Sequence, residues 1–261
     1  MRYFRLMTVF FRTSLQTDME YRADFFTRIL ASLLGLLATL GGLTVVFQYT
    51  SNVHGWKLAD MVVLLSVYYL MDGIIEMFIG PNMRQIMEQV RQGTLDFVLL
   101  KPISAQFLAT SRQINIWRMA NVLIGAGLSV YSVSRLSLSI GLGQAGAFAI
   151  TLASAVGIVY SFWLFLVTLT FWVVRIDNLE QIVGQAFEAG RYPIDIYPSW
   201  LRGGLTYIIP VVFMITVPAQ ALAGRVTFGT ILTSVIVSSS ALIASSLFWR
   251  FGLKNYTGAS A

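Results

Sequence analysis

The 261-residue chain has the composition of a membrane protein, with 56% apolar residues, 11% charged residues and a net charge of +6. Several apolar runs exceed the ~18 residues that mark a spanning helix, which excludes a soluble globular domain. The basic residues lie in loops between these runs, so they indicate orientation and no nucleic-acid partner. With no cysteine, there is no disulfide framework and no thiolate metal site. We predict an all-α integral membrane protein with one domain, residues 1–261.

Residues 1–24 are predicted to form an N-terminal amphipathic helix that lies along the membrane surface. Arg5 and Arg12 fall on its polar side, opposite Leu6 and Phe10. Such a helix lies in the headgroup layer with its apolar side in the acyl boundary. The alternative is that it begins the first spanning helix. The arginines exclude a cleavable signal peptide, which needs an uninterrupted apolar run.

The sequence predicts six transmembrane helices. Five follow from apolar runs: residues 25–48, 58–80, 113–133, 144–174 and 228–249. The fourth carries small residues at every fourth position, which favour close packing against another helix over most of its length. These residues are Ala145, Ala149, Ala153 and Gly157. No metal site is predicted.

Two carboxylates, Asp72 and Glu76, lie one helical turn apart inside the second predicted crossing. Carboxylates within a span are energetically costly and usually face protein or water. Three interpretations are open: they pair with Arg84 or Arg118 as structural anchors, they line a pathway, or they relay protons. Their position near the end of the crossing favours anchoring.

A polar segment, residues 81–112, separates the second and third crossings. Its apolar residues lie at helical spacing, Gly93 predicts a stop, and a short apolar turn follows with Asp96 at its positive N-terminal end. A short apolar knob beside a membrane is suited to insertion into a groove of a partner; the alternative is an ordinary surface helix. The predicted contact residues are Met83, Ile86, Met87, Val90, Leu95, Asp96, Phe97, Leu99, Leu100 and Lys101.

The segment 175–225 contains the sixth predicted crossing, and two interpretations of it are open. In the first, residues 176–204 are a cytoplasmic loop and 205–222 the fifth crossing. In the second, residues 177–192 cross as a polar, protein-buried fifth helix, and 193–222 form a proline-rich re-entrant gate outside. Irregular backbone at membrane depth needs protein or a water cavity around it. The candidate gate residues are Pro193, Pro198, Trp200, Pro210 and Pro218.

The distribution of basic residues predicts the orientation. If both termini and residues 81–112 share one side, ten basic residues lie there against three to five on the other side, which makes that side cytoplasmic. The cytoplasmic set is Arg2, Arg5, Arg12, Arg22, Arg84, Arg91, Lys101, Arg112, Arg250 and Lys254. The other set is Lys57, Arg135 and Arg225, with Arg191 and Arg202 added under the gate interpretation.

The chain resembles the permease subunit of type-2 ATP-binding cassette (ABC) exporters over nearly its whole length. RQGTLDFVLLKPIS at residues 91–104 is similar to the coupling segment of these permeases, a cytoplasmic helix between helices 2 and 3. RYPIDIYPSWLRGGLTYIIPVVFMITVPAQAL at 191–222 resembles the proline-rich run before helix 6, and WRFGLKNYTGAS at 249–260 the family's ending. Residues 177–192 depart from the family, because its usual fifth crossing is less polar.

This resemblance implies an ATP-driven export function for an amphipathic or lipid-like substrate. Its partners would be an ABC-type ATPase subunit, which binds ATP and Mg²⁺, a second permease copy or homologous permease, and membrane lipid. The location would be a bacterial inner membrane, with both termini cytoplasmic. The chain itself is not expected to be an enzyme or to bind a cofactor, since none of Lys57, Lys101 and Lys254 lies in a phosphate-binding G-x-x-x-x-G-K-[ST] loop.

Two other classes are weighed against this one. A proton-coupled secondary transporter would use Asp72 and Glu76, but such folds usually show internal repeats, and the sequence has no visible repeat. A membrane scaffold would use residues 81–112 only to recruit a cytoplasmic partner. An intramembrane enzyme is disfavoured, because no nucleophile–base set or metal-ligand spacing is present.

Overall fold

A computed structural model describes residues 2–20, 22–135, 141–173 and 177–256 as a helical protein. Within these residues, five helices are long and apolar enough to span a membrane, and a sixth candidate is a pair of shorter helices bent by 74°. The prediction of an all-α integral membrane protein is confirmed.

The chain begins with two successive helices, α1 (Arg2–Glu20) and α2 (Arg22–Tyr49). The hydroxyl of Ser14 in α1 accepts a hydrogen bond from the Ile114 N–H at 3.3 Å, which ties α1 to the segment before the third crossing. Leucines along α2 are exposed, including Leu37. In a membrane these side chains would contact lipid or another subunit.

The second crossing is longer than predicted. Helix α3 (Leu58–Ile74) continues through one π-helical turn (Ile75–Ile79) into α4 (Gly80–Arg91). The sequence predicted a crossing that ends at residue 80 and a separate cytoplasmic helix. The structure instead has one 34-residue helical segment, so the polar helix extends directly from the span.

The helix continues through Pro81 because other donors bond the carbonyls of the preceding turn. Proline has no N–H, so the Met77 carbonyl lacks its usual helical donor. The Asn115 N–H donates to that carbonyl at 3.0 Å. The Asn82 amide, which is fully buried, donates to the Phe78 carbonyl at 2.7 Å. The chain before the third crossing therefore stabilises the helix at its proline.

The third crossing, α7 (Met119–Arg135), packs closely along α3 after a 3₁₀ turn (Ile116–Arg118). Two glycines allow this approach. A Cβ on Gly125 would lie 2.4 Å from the Leu70 nitrogen, and a Cβ on Gly73 would lie 2.6 Å from the Val122 nitrogen. Because both obstacles are backbone atoms, any side chain at these positions would separate the helices.

The fourth and last crossings, α8 (Leu142–Leu169) and α12 (Phe228–Asn255), pack side by side and run in the same direction. A Cβ on Gly157 of α8 would lie 2.4 Å from the Ser238 hydroxyl, and one on Gly252 of α12 would lie 2.7 Å from Thr168. Both helices therefore use small residues where they meet.

The predicted small-residue surface of α8 is only partly covered. Gly157 packs on α12, but Ala145, Ala149 and Ala153 are exposed. Within this chain, the three alanines are therefore not buried by α12 or by another described helix. Contact of the three alanines with another subunit stays a prediction.

The segment after α8 contains α9 (Asp177–Ala189), α10 (Ser199–Gly203) and α11 (Val217–Leu222). Two π-helical turns, Gly204–Ile208 and Val212–Thr216, extend α10 and precede α11. The helical path bends between them.

Pro210 explains this bend. The residue before a proline avoids the helical conformation. Ile209 is accordingly extended, with φ −115° and ψ 97°. Residues 205–222, which hydropathy alone made a straight crossing, are thus two helical pieces at 74° to each other.

Candidate functional site

Helix α4 and the compact turn that follows it are here called the elbow (residues 80–110). Gly93 follows α4 with φ +67°, the left-handed conformation that glycine adopts readily at a helix end. A one-turn helix, α5 (Asp96–Leu99), comes next, and α6 (Ala105–Thr110) returns to the membrane domain. The N-cap of α5 is Leu95.

The structure divides the predicted contact residues of the elbow into two groups. Met83, Ile86 and Leu95 are buried in the chain itself, while Phe97 and Leu100 expose 70% and 82% of their surface. The remaining members are half-buried or polar: Met87, Val90, Asp96, Leu99 and Lys101. A partner that approaches this chain therefore meets Phe97 and Leu100 first.

A buried asparagine joins the elbow to the start of the third crossing. The Asn82 side chain donates to the Gln113 carbonyl and accepts from the Gln113 N–H, both at 2.7 Å. This pair of bonds fixes the distance between the two chain segments. The sequence analysis missed Asn82; an amide directly after a long apolar run was the available signal.

Each intramembrane carboxylate contacts an arginine. Arg84 lies 2.8 Å from Glu76, and Arg118 lies 3.1 Å from Asp72. The Asn121 amide also donates to Asp72, at 2.7 Å. These are the two arginines that the anchoring interpretation named. The Glu76 contact links α3 to α4, and the Asp72 contacts link α3 to the start of α7.

The end of α12 lies beside the elbow. Tyr256 packs against Phe171, with ring centroids 5.3 Å apart. Burial raises the pKa of the Tyr256 hydroxyl, and the nearby Asp96 carboxylate raises it further. Because α1 also contacts this end of the molecule through Ser14, both described chain ends lie on the elbow side.

A cavity of about 730 Å³ opens between α2, α3, α7, α8 and α9, within the usual range for small-molecule sites. Asp72, Glu76 and Arg118 line its elbow end, and Glu188 and Arg191 line its other end. The sequence analysis identified the first three residues as candidates but missed the last two. The signal available in the sequence was an acidic and a basic residue, three positions apart, near the end of a polar helix.

At the opposite end of α3 from the elbow, two polar contacts hold the segment 193–225. The Trp56 indole donates to Asp195 at 3.3 Å, and Arg225 lies 2.8 Å from the buried Asp60 carboxylate. Trp56 and Asp60 flank the start of α3, so both ends of this segment lie at one end of that helix. Gln144, at the start of α8, also donates to the Leu222 carbonyl there.

The candidate gate residues occupy different positions in this segment. Pro210 lies at its bend, and Pro193 and Pro218 are buried. Pro198 directly precedes α10, and Trp200 is exposed. The prolines therefore mark turns and helix starts, and the five candidate residues do not form one cluster.

Comparisons with known proteins agree with this architecture. A family model described as ABC-2 family transporter protein matches residues 33–260, most of the chain. No curated protein matches the sequence. The resemblance inferred from the coupling and proline-rich motifs is confirmed at the family level. The chain belongs to the ABC-2 family of transporter proteins and is a membrane permease subunit of an ABC transporter.

Proposed function

We propose that this permease is the membrane half of an ATP-driven exporter and that a separate ATPase subunit docks on its elbow. The observation that carries the proposal is the pair Phe97 and Leu100, two large apolar side chains exposed at the tip of a polar projection. Fully burying such side chains in a groove stabilises a complex by about 1.5–3 kcal/mol each. ATP and Mg²⁺ would be bound by the partner, since this chain has no P-loop sequence.

The continuous α3–α4 segment supports mechanical coupling. A force on α5 passes into α4, and Arg84–Glu76 and Asn82–Gln113 join α4 to α3 and to the start of α7. Such a braced unit moves as a rigid body, as expected when nucleotide-driven closure of a partner repositions membrane helices.

A second permease copy or a homologous permease would complete the transporter. The exposed leucines of α2 and the exposed Gln181, Ile182 and Gln185 of α9 support this assignment. The polar residues on α9 would be costly in lipid but acceptable at a subunit interface or beside water. The substrate would then move along the seam between two permeases.

The contacts at the outer end of α3 favour the gate interpretation of residues 193–222. Because both ends of this segment lie at that end, it enters and leaves on one side, and α9 supplies the remaining crossing. With the elbow side cytoplasmic, as the basic residues predict, the gate lies outside. The membrane would be a bacterial inner membrane, and the export substrate an amphipathic or lipid-like molecule.

The test is co-purification of the tagged permease with its ATPase in mild detergent. We expect Phe97→Asp and Leu100→Asp each to abolish the association, because a charge cannot enter an apolar groove unpaired. Leu142→Asp is the matched control, since Leu142 is equally exposed at the opposite end of the molecule. Unchanged ATPase recovery with both elbow variants would refute the docking assignment. Substrate transport driven by a pH gradient without ATPase would favour the secondary-transporter alternative.

A further inference from the structure

One face of α3 places polar side chains along the cavity. Tyr68, Asp72 and Glu76 follow one another at four-residue spacing and all line it. With a rise of ~1.5 Å per residue, this row is about 12 Å long. The row is therefore long enough to contact two separate charged groups of one bound molecule.

An acid–arginine ion pair lies at each end of the row. At its outer end, Glu188 lies 2.7 Å from Arg191 and accepts a hydrogen bond from the Tyr68 hydroxyl at 3.1 Å. At its elbow end are the pairs of Asp72 with Arg118 and Glu76 with Arg84. The three acids are balanced by three bases, and the side chains keep between 19% and 52% of their surface exposed.

Aromatic rings form much of the remaining wall. Arg118 lies over the Trp117 ring, 4.1 Å from its centroid, and Arg191 lies 4.9 Å from the centroid of Tyr68. Further rings that line the cavity are Tyr69, Phe162, Trp163 and Phe187. These rings offer apolar surface to an alkyl chain and π-faces to an organic cation.

The wall on the α2 side is thin. Ala31, Ser32 and Gly35 are the α2 residues that line the cavity, and a Cβ on Gly35 would lie 3.8 Å from the Tyr69 hydroxyl. In the apolar part of α2, Ile29–Tyr49, only 6% of the residues are buried in this chain. A molecule whose tail lies in the bilayer could therefore reach the cavity past α2.

We infer that this cavity binds amphiphiles with a zwitterionic headgroup, its anionic part on Arg118 or Arg191 and its cationic part on Asp72 or Glu188. A zwitterion replaces both members of an ion pair at once and leaves the site neutral. A singly charged headgroup would leave one partly buried charge without its partner. The inference names the substrate class of the proposed exporter and rests on that function only for transport, because binding needs no ATPase.

The test measures equilibrium binding to purified permease in nanodiscs without any ATPase. The probes are octylphosphocholine, octyltrimethylammonium and octyl sulfate, each below its critical micelle concentration. We expect the phosphocholine to bind about tenfold more tightly than either singly charged probe, since one charge-assisted contact is worth that factor. Equal binding of the three, tighter binding of a singly charged probe, or no binding would overturn the inference.

Arg191→Gln sharpens this test, because it makes the cavity more negative. We expect phosphocholine binding to fall about tenfold while octyltrimethylammonium binding rises, so that the preference reverses. An equal loss for all probes would refute recognition of the headgroup. Arg250→Gln, at an exposed position on α12, is the matched control and should leave binding unchanged.

Ser32→Phe is a second variant that leaves every charged residue in place. The phenylalanine ring would fill the cavity from the α2 side and should weaken the binding of all three probes. Unchanged binding would place their site elsewhere. Phe97→Asp separates this inference from the proposed function. It should bind the probes normally even if the ATPase no longer associates, and lost probe binding in this variant would contradict a site confined to the cavity.

Discussion

The elbow and the segment 193–225 lie at opposite ends of α3, and they are attached to it in different ways. The elbow continues the helix itself, with Pro81 accommodated by the Asn115 N–H. The outer segment is broken at Pro210 and is held to the start of α3 by the Trp56–Asp195 and Asp60–Arg225 contacts. One end of α3 thus continues covalently into the elbow, whereas its other end is joined to segment 193–225 by side-chain contacts.

Under the proposed function, this difference suits a transporter that receives force at the elbow and opens at the other end of α3. Separating the elbow from α3 would require breaking a helix. Releasing segment 193–225 would require breaking its polar contacts and exposing its buried apolar side chains, among them Met214, Ile215 and Leu222. Under the proposed function, motion imposed at the elbow would pass along the continuous helix toward the other end of α3.

The largest effect is expected from disrupting the close packing of α7 against α3. Gly125→Leu would force a side chain into the backbone at Leu70, so we expect folding to fail, with a loss above 3 kcal/mol, the upper end for overpacking. Thermal unfolding in detergent and membrane yield measure this. Gly127→Leu, where a Cβ meets nothing within 4 Å, is the control and should stay close to wild type.

The outer attachment is tested by Arg225→Gln. Asp60 is only 2% exposed, so loss of its arginine leaves a buried carboxylate without its ion-pair partner, at a cost of about 3 kcal/mol. We expect Arg225→Gln to raise the rate at which a thiol reagent labels a cysteine introduced into segment 193–225. In the double variant Asp60→Asn/Arg225→Gln, part of the stability should return, because the uncompensated charge is gone. A double variant no more stable than Arg225→Gln would show that the buried charge is not the cause.

The inner brace is tested by Glu76→Gln, which removes the ion pair with Arg84 at the α3–α4 junction. This pair is partly exposed, so we expect a loss of roughly 1–2 kcal/mol and a weaker stimulation of the ATPase by substrate. The control is Glu88→Gln, whose exposed pair with Arg91 should contribute below about 1 kcal/mol. Equal effects of the two variants would argue against a brace.

The smallest effect concerns the attachment of α12 to the elbow at alkaline pH. Burial and the Asp96 carboxylate raise the pKa of Tyr256, so the folded state keeps this proton after an unfolded tyrosine, with a pKa of about 10, has lost it. Stability is therefore constant below that pH and falls as the pH rises above it. Tyr256→Phe should reduce this fall in an unfolding series from about pH 9 to 11, and an unchanged slope would contradict the assignment.

Hydropathy and charge were sufficient to predict the five apolar crossings and the position of the elbow, because these features depend on local composition. The sequence could not separate buried Met83 and Ile86 from exposed Phe97, since all three are apolar at helical spacing and only tertiary packing distinguishes them. The continuity of the helix through Pro81 was missed for a similar reason. It depends on Asn115, which lies far along the chain.

The shared direction of α8 and α12 has a consequence for topology. Two neighbouring helices that both descend toward the elbow require the chain between them to climb back through the bilayer. At ~1.5 Å per residue, the 13 residues of α9 rise only about 20 Å, so the turn up to Asp195 must cover the remaining height of the ~30 Å hydrocarbon layer. The five long apolar runs do not supply this return pass, so it falls to the segment between α8 and α12.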